Sequence, residues 1–134
     1  MKEGIALDWF NSVSAALLNK DLDGLWTRQR EISDNISNIE TPGYKSKSVS
    51  FEDQLKNLMA EGGENSGDLI SRIESTTPQT SVSDDESLRL DGNNVDAEKE
   101  NIELARSQIN YYYSLRELSD YFSRLRYAIT DGKS

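Results

Sequence analysis

The sequence contains no histidine and no cysteine. Without imidazole it lacks the side chain most used for general acid–base work near neutral pH, and no Ser–His triad can be assembled. Without thiols there are no disulfides, thiolate metal sites or cysteine nucleophiles. Apolar residues are also scarce, at 35% of 134 residues with a mean hydropathy of -0.71. A globule of this size normally has more to bury, so the composition predicts one domain at most, either elongated or loosely ordered in part. No run approaches the roughly 18–20 apolar residues of a membrane span. The opening residues carry acids at Glu3 and Asp8 and no continuous apolar stretch, which is not the pattern of a cleaved secretory signal.

Positive charge is in deficit, and the deficit is local. Residues Glu61 to Glu103 hold 12 acidic and 3 basic side chains, a surplus of nine negative charges. The rest of the chain holds 12 of each, so the whole net charge of -9 sits in the middle. Balanced ends approach copies of themselves without strong repulsion, whereas an acidic middle stays solvated. Nucleic-acid binding needs a basic surface and is not expected.

What is present is helical periodicity at both ends. From Leu18, steps of four and three give Leu22, Leu25, Gln29, Ile32, Ile36 and Ile39, a coiled-coil-like seam. Phe10, Val13 and Leu17 form an upstream stripe out of register with it. Between the two, Asn19-Lys20-Asp21-Leu22-Asp23-Gly24 is rich in poor helix formers and predicts a kink or break. The first 40 residues form this N-terminal helical region. Thr41 before Pro42 then disfavours helix, and Pro42-Gly43 suits the centre of a type II turn. Lys45 and Lys47 are expected in solvent. Ser50 begins a Ser-x-x-Asp cap for a short helix with Phe51, Leu55, Leu58 and Met59 on one face, ended by Gly62-Gly63.

Residues 41–95 make up the turn, the short helix and a flexible acidic middle. From Glu61 to Val95, 24 of 35 residues are Gly, Ser, Thr, Asn, Asp or Glu, which predicts a long excursion or an ill-formed subdomain. Leu69, Ile70 and Ile73, and later Leu88 and Leu90, are candidates for short strands or for pinning that loop to the helices. Asp96 is a good N-cap, with Glu98 and Glu100 in the first turn where the helix dipole favours negative charge. Residues 96–134 then form a long C-terminal helix and tail. Counting from Leu104 gives Gln108, Tyr111, Leu115, Leu118, Phe122, Leu125 and Ile129, seven of the eight apolar. Such a helix is roughly 50 Å long at 1.5 Å per residue and needs a partner along its length. The N-terminal helix is the one available. The fold class expected is therefore mainly α, an elongated antiparallel, coiled-coil-like pairing of the terminal helices around a polar, partly irregular middle.

No constellation with catalytic or metal-binding chemistry emerges, and no cofactor is expected. Glu61-Gly62-Gly63-Glu64 carries its own negative charge and no Lys-Ser/Thr follows, unlike a phosphate loop. Asp84-Asp85-Glu86 reads as solvated loop charge. Asp91-Gly92-Asn93-Asn94-Val95-Asp96 has its glycine at the second position rather than the sixth of a calcium loop, and reads better as a turn into an N-cap. Tyr111-Tyr112-Tyr113 points its rings in three directions on a helix, which favours packing over ligand binding.

Two stretches carry a family likeness. Asn35-Ile36-Ser37-Asn38-Ile39-Glu40-Thr41-Pro42-Gly43-Tyr44-Lys45 resembles the Asn-Ile-Ala-Asn-x-x-Thr-Pro-Gly-Tyr-Lys segment of flagellar rod and hook proteins, with Ser37 in place of alanine. Asn35 and Asn38 are poor helix formers and suit a helix end that hydrogen-bonds to something. Leu90-Asp91-Gly92-Asn93-Asn94-Val95-Asp96 resembles the segment opening the last helix in the B-type family of flagellar basal-body rod proteins. The related C type tends to carry a His-containing segment there, and this chain has no histidine. The resemblance implies a non-enzymatic structural subunit of the proximal rod in the bacterial periplasm, helping to transmit torque from motor to hook. It also implies export by the flagellar type III apparatus without a cleaved signal. The partners it implies are copies of the chain, other rod subunits, basal-body ring or adaptor proteins and that export apparatus. The assembly residues it points to are Asn35, Ile36, Asn38, Thr41, Pro42, Gly43, Tyr44, Asp91, Gly92, Asn93, Val95 and Asp96, together with the two helical stripes. The alternative is a stand-alone helical interaction module or an export chaperone, with both stripes closed within one chain or a dimer.

Overall fold

The computed structural model describes residues 2–62 and 65–131, with side chains from residue 13 onward. The elements in order are α1 (Lys2–Ser37), β1 (Lys47–Ser50), α2 (Glu52–Glu61), α3 (Ser66–Ser75), β2 (Gln79–Val82) and α4 (Ala97–Asp131). The protein is mainly helical, and its long first helix packs against its long last one. No described helix is long and apolar enough to cross a membrane.

The chain divides into two compact units of discontinuous segments. The first comprises Met1–Leu22, Glu52–Thr76 and Tyr112–Ser134, and the second Asp23–Phe51 and Thr77–Tyr111. In the first unit Val13 and Ala16 of α1, Leu55 of α2, Leu69 and Ile73 of α3, and Tyr121 of α4 are buried. Ser114 Oγ of α4 donates to Asp21 Oδ2 of α1, and Leu17 and Leu18 share a groove with Leu125 and Ala128. Helix α2 ends at Gly62, whose φ of 66° is the left-handed geometry that glycine adopts without strain, and its N–H reaches Leu58 O at 3.1 Å. Arg72 ties that end to α3 through Gly62 O at 2.9 Å and Glu61 at 2.6 Å. Asn65 caps α3 by accepting from Asp68 N at 2.8 Å, and Lys20 Nζ meets Glu74 O at 2.8 Å. Leu69, Ile70 and Ile73 thus lie on a helix rather than a strand. The three- and four-residue spacings among them are helical, and Leu69 and Ile73 share its buried face.

In the second unit Leu25, Ile32, Val49, Phe51 and Val95 form the core. Strands β1 and β2 pair antiparallel, with Lys47 opposite Val82 and Ser50 opposite Gln79. Helix α1 does not break near Gly24; it is a single span from Lys2 to Ser37. The reason for glycine there is packing. A Cβ at Gly24 would lie 2.5 Å from the Phe51 ring, so the ring packs directly on the helix backbone. Arg28 stands 4.9 Å from the centre of the same ring and donates to Val49 O at 2.8 Å, fixing the end of β1 against the helix.

The seam of α1 keeps its expected register, with Leu18, Leu22, Leu25, Gln29, Ile32, Ile36 and Ile39 all buried or half-buried. In the upstream stripe Val13 is buried and Leu17 half-buried, while the Phe10 side chain lies outside the described residues. On α4 the inward line is shifted. Leu104, Tyr111, Leu118 and Leu125, seven residues apart, are half-buried, and the places between them are taken by Ser107, Ser114 and Tyr121. The other half of the expected stripe, Gln108, Leu115, Phe122 and Ile129, is exposed along one flank of that line. An α4 line of 104, 107, 111, 114, 118, 121 and 125 has the 3-4 spacing of a heptad, and the apolar residues overflow it.

Candidate assembly site

The two motifs, about 50 residues apart in sequence, close on each other at the end of α1. Helix α1 stops after Ser37, and the chain turns through Thr41-Pro42-Gly43-Tyr44, with Tyr44 N on Thr41 O at 3.2 Å and Gly43 at φ 74°. Those are the hydrogen bond and the positive third residue of a type II turn. A second glycine turn, Arg89 to Gly92, lies beside it: Gly92 has φ 81°, and its Cβ position is 3.7 Å from Gly43 Cα. Backbone bonds join the two turns, Gly43 N to Asp91 O at 2.8 Å and Asn94 N to Tyr44 O at 3.3 Å. Lys45 Nζ donates to Gly92 O at 2.6 Å, and Ser46 N donates to Asn94 Oδ1 at 2.7 Å. Lys45 is therefore a half-buried part of this joint rather than a solvent-facing charge, and Lys47, also half-buried, enters it through its backbone.

Two buried asparagines hold the arrangement. Asn93, 1% exposed, donates to Asn38 O at 2.9 Å and to Thr41 O at 2.8 Å, and its Oδ1 accepts from Val95 N at 2.9 Å. It thereby gives a second donor to two carbonyls of the turns after α1, which also accept from Thr41 N and Tyr44 N. Asn35, fully buried, donates to Lys47 O at 2.8 Å and Glu100 Oε2 at 3.1 Å, and accepts from Lys47 N at 2.9 Å and Tyr44 OH at 3.1 Å. Asn38 Nδ2 closes back on Asp34 O at 2.8 Å, and Thr41 Oγ1 donates to Asn38 Oδ1 at 3.0 Å. Asp91 Oδ1 accepts from Asn93 N at 3.0 Å, and Asp96 Oδ1 caps α4 by accepting from Glu98 N and Lys99 N at 3.1 and 3.2 Å. Ile36 is half-buried, Val95 is buried, and Pro42 is exposed on the turn.

The electrostatics of this clasp are acidic. Burial pushes the Glu100 carboxyl above its ordinary value, a shift that the hydrogen bond from Asn35 opposes. Burial also raises the Tyr44 phenol, helped by the carboxylates of Asp34, Glu31 and Glu100, so Tyr44 stays a donor. Glu31 Oε2 is buried with no hydrogen-bond partner among the described residues. The motif side chains are used inside the chain, fixing the turn and the start of α4. Sequence reasoning missed Arg89, whose guanidinium caps Ile39 O and pairs with Asp91 at 3.3 Å. Its signal was available, as one of only 3 basic residues in the acidic middle. It also missed Glu100 as the partner of Asn35, because Glu100 reads as an ordinary first-turn acid.

No protein-family model matches the chain. Curated proteins do. The chain is 36% identical over 117 residues to the flagellar basal body rod protein FlgB of Bacillus subtilis, covering 79% of this chain and 84% of that protein. It is 30% identical over 118 residues to FlgB of Escherichia coli, covering 78% and 84%, and 29% identical over 116 residues to FlgB of Borreliella burgdorferi, covering 78% and 86%. Paired terminal helices closed by the two sequence motifs, and identity sustained over more than three-quarters of the chain, lead to one conclusion: the chain belongs to the FlgB family of flagellar basal-body rod proteins.

Proposed function

We propose that the chain is a self-assembling structural subunit of the flagellar proximal rod, joined to its neighbours through apolar lines on its terminal helices that its own fold leaves open. It is a rod protein by family and not an enzyme. The observation that carries the assembly reading is the overflow on α4. Leu115, Phe122 and Ile129 are 45%, 49% and 55% exposed on one flank of the seam, and Ile102, Ile109 and Tyr113 are 53%, 56% and 66% exposed on the opposite side. One partner helix covers one line, so three lines call for more helices than one chain has. Copies of the chain and other rod subunits supply them. The clasp sets where α1 ends and α4 begins. A rod built this way passes torque from motor to hook through packed helices. Ring or adaptor proteins of the basal body, and the type III export apparatus that delivers the chain to the periplasm, complete its partners.

The rival reading, a stand-alone interaction module or export chaperone, requires a closed oligomer that hides both extra lines. Phe122→Asp distinguishes them. For a rod subunit the variant monomer keeps its melt and the cells lose rods and motility. Motile cells with normal rods would overturn the assembly reading.

A further inference from the structure

We propose that the loop preceding the second motif is a docking knob for a second copy of this chain, with Leu88 and Leu90 seated in the groove between α1 and α4 of that copy's first unit. The proposal rests on the assembly reading above and extends it from helix faces to a loop. Leu88 and Leu90 are 104% and 110% exposed, more than any other large apolar side chain among the described residues. As candidates for a short strand or for pinning the loop onto the helices they do neither, lying outside both strands and fully in solvent. Yet the loop is tied down on every side of them. Asn94 Nδ2 donates to Asp85 O at 3.1 Å, Ser87 Oγ donates to Asn93 O, and Arg89, between the two leucines, reaches Ile39 O, Glu40 and Asp91. Gly92 N closes the turn on Arg89 O at 3.2 Å. A connector that only needs to stay solvated gains nothing from two leucines held out on a braced loop. A binding element does, because the ordering cost of docking has already been met.

The partner surface must be concave, apolar and different from the knob. Two copies meeting loop to loop would set Asp84, Asp85 and Glu86 against the same three acids, so a self-complementary contact is opposed by like charge. The first unit offers another patch, a groove of about 580 Å³ lined by Leu17 and Leu18 of α1 and Leu125 and Ala128 of α4. Its charged lining residues, Arg124 and Glu117, offset one another, and Arg124 gives the acids of the loop a partner. Because knob and groove are separate patches, the contact runs head to tail and repeats, as an open-ended assembly requires.

The absence of native cysteine makes the test clean. Full-length Leu90→Cys and Ala128→Cys chains are mixed at high concentration under mild oxidation. The expected result is a mixed disulfide dimer in at least about fivefold excess over that from Val82→Cys mixed with Ala128→Cys, Val82 being an exposed control. In parallel, Leu88→Ser/Leu90→Ser should keep the wild-type melt, since neither side chain is buried, and should self-associate about tenfold more weakly in sedimentation. Equal crosslinking from the control, no mixed dimer at all, or unchanged self-association of the double variant would each overturn the knob. So would motile cells with normal rods carrying the double variant, and that outcome leaves the rod reading standing.

Discussion

Asn35 uses both amide hydrogens and both lone pairs of its oxygen at once, on three different partners. Asn35→Ala should cost about 2 kcal/mol, because it strands Lys47's backbone groups and the Glu100 carboxylate in a buried site. Asn35→Asp should cost more, about 3–5 kcal/mol, since it removes both donors and faces one carboxylate with another. Urea melts at constant pH rank the two; equal stability of the wild type and Asn35→Asp would refute the network. Glu100 supplies a pH signature. Its folded pKa is raised above the ordinary 4.5, so the folded state holds this proton more tightly than the unfolded state does. The stabilisation is complete below the unfolded value and is lost as pH rises through the folded one. Glu100→Gln should therefore exceed the wild type in stability at pH 7, and the gap should close on acidification through the carboxylate range. A gap that widens on acidification would reverse the assignment. The sequence made Asn35 and Asn38 legible as hydrogen-bonding residues at a helix end. It did not make their partners legible, because the strand backbone at Lys47 and the acid at Glu100 are brought there by the fold.

Among the elements, the terminal helices and the turn at Pro42-Gly43 are readable from periodicity and from proline–glycine chemistry. The strands are not. Lys47-Ser48-Val49-Ser50 and Gln79-Thr80-Ser81-Val82 have too few apolar side chains for alternation to register, and their pairing comes from neighbouring contacts. Gly24 looked like a helix breaker because propensity speaks only of the helix itself, while the Phe51 ring resting on it belongs to another segment. Gly24→Ala tests this by the sign of its effect. A mere weak point in a helix would gain about 1 kcal/mol from alanine. With a ring 2.5 Å from the new methyl, the variant should instead lose about 1–3 kcal/mol in thermal or urea melts. At Gly43 the Cβ position is open space, so only the backbone objects. Gly43→Val should cost about 1–2 kcal/mol and Gly43→Asn clearly less, since asparagine tolerates positive φ. Equal costs for the two would indicate that the turn does not depend on that geometry.

For the whole molecule, the inward shift of the α4 line separates positions that the sequence grouped together. Ile32, 5% exposed, lies in the core of the second unit, and Leu118 is half-buried in the seam of the first. Ile32→Asp should unfold the free chain or cost about 3–5 kcal/mol, with Leu118→Asp intermediate. Phe122, 49% exposed, touches its neighbour Tyr121 edge-on, and Phe122→Asp should change the melt by about 1 kcal/mol or less while abolishing assembly. Circular dichroism melts set beside sedimentation and motility assays read all three. Collapse of the Phe122→Asp monomer would show that this flank belongs to the core. The heptad spacing was legible on both helices. The choice between adjacent lines on α4 was not, because apolar residues occur around much of that helix and only the partner decides which line faces in.

The clasp also sets a schedule. Asn35 waits for Glu100, 65 residues downstream, and the end of α1 waits for Asn93, 55 residues beyond Asn38. While the chain is being synthesised, neither link can form until about three-quarters of it has emerged, and closing so large a loop is slow compared with forming a local helix. During that interval the polypeptide has helices without a locked end.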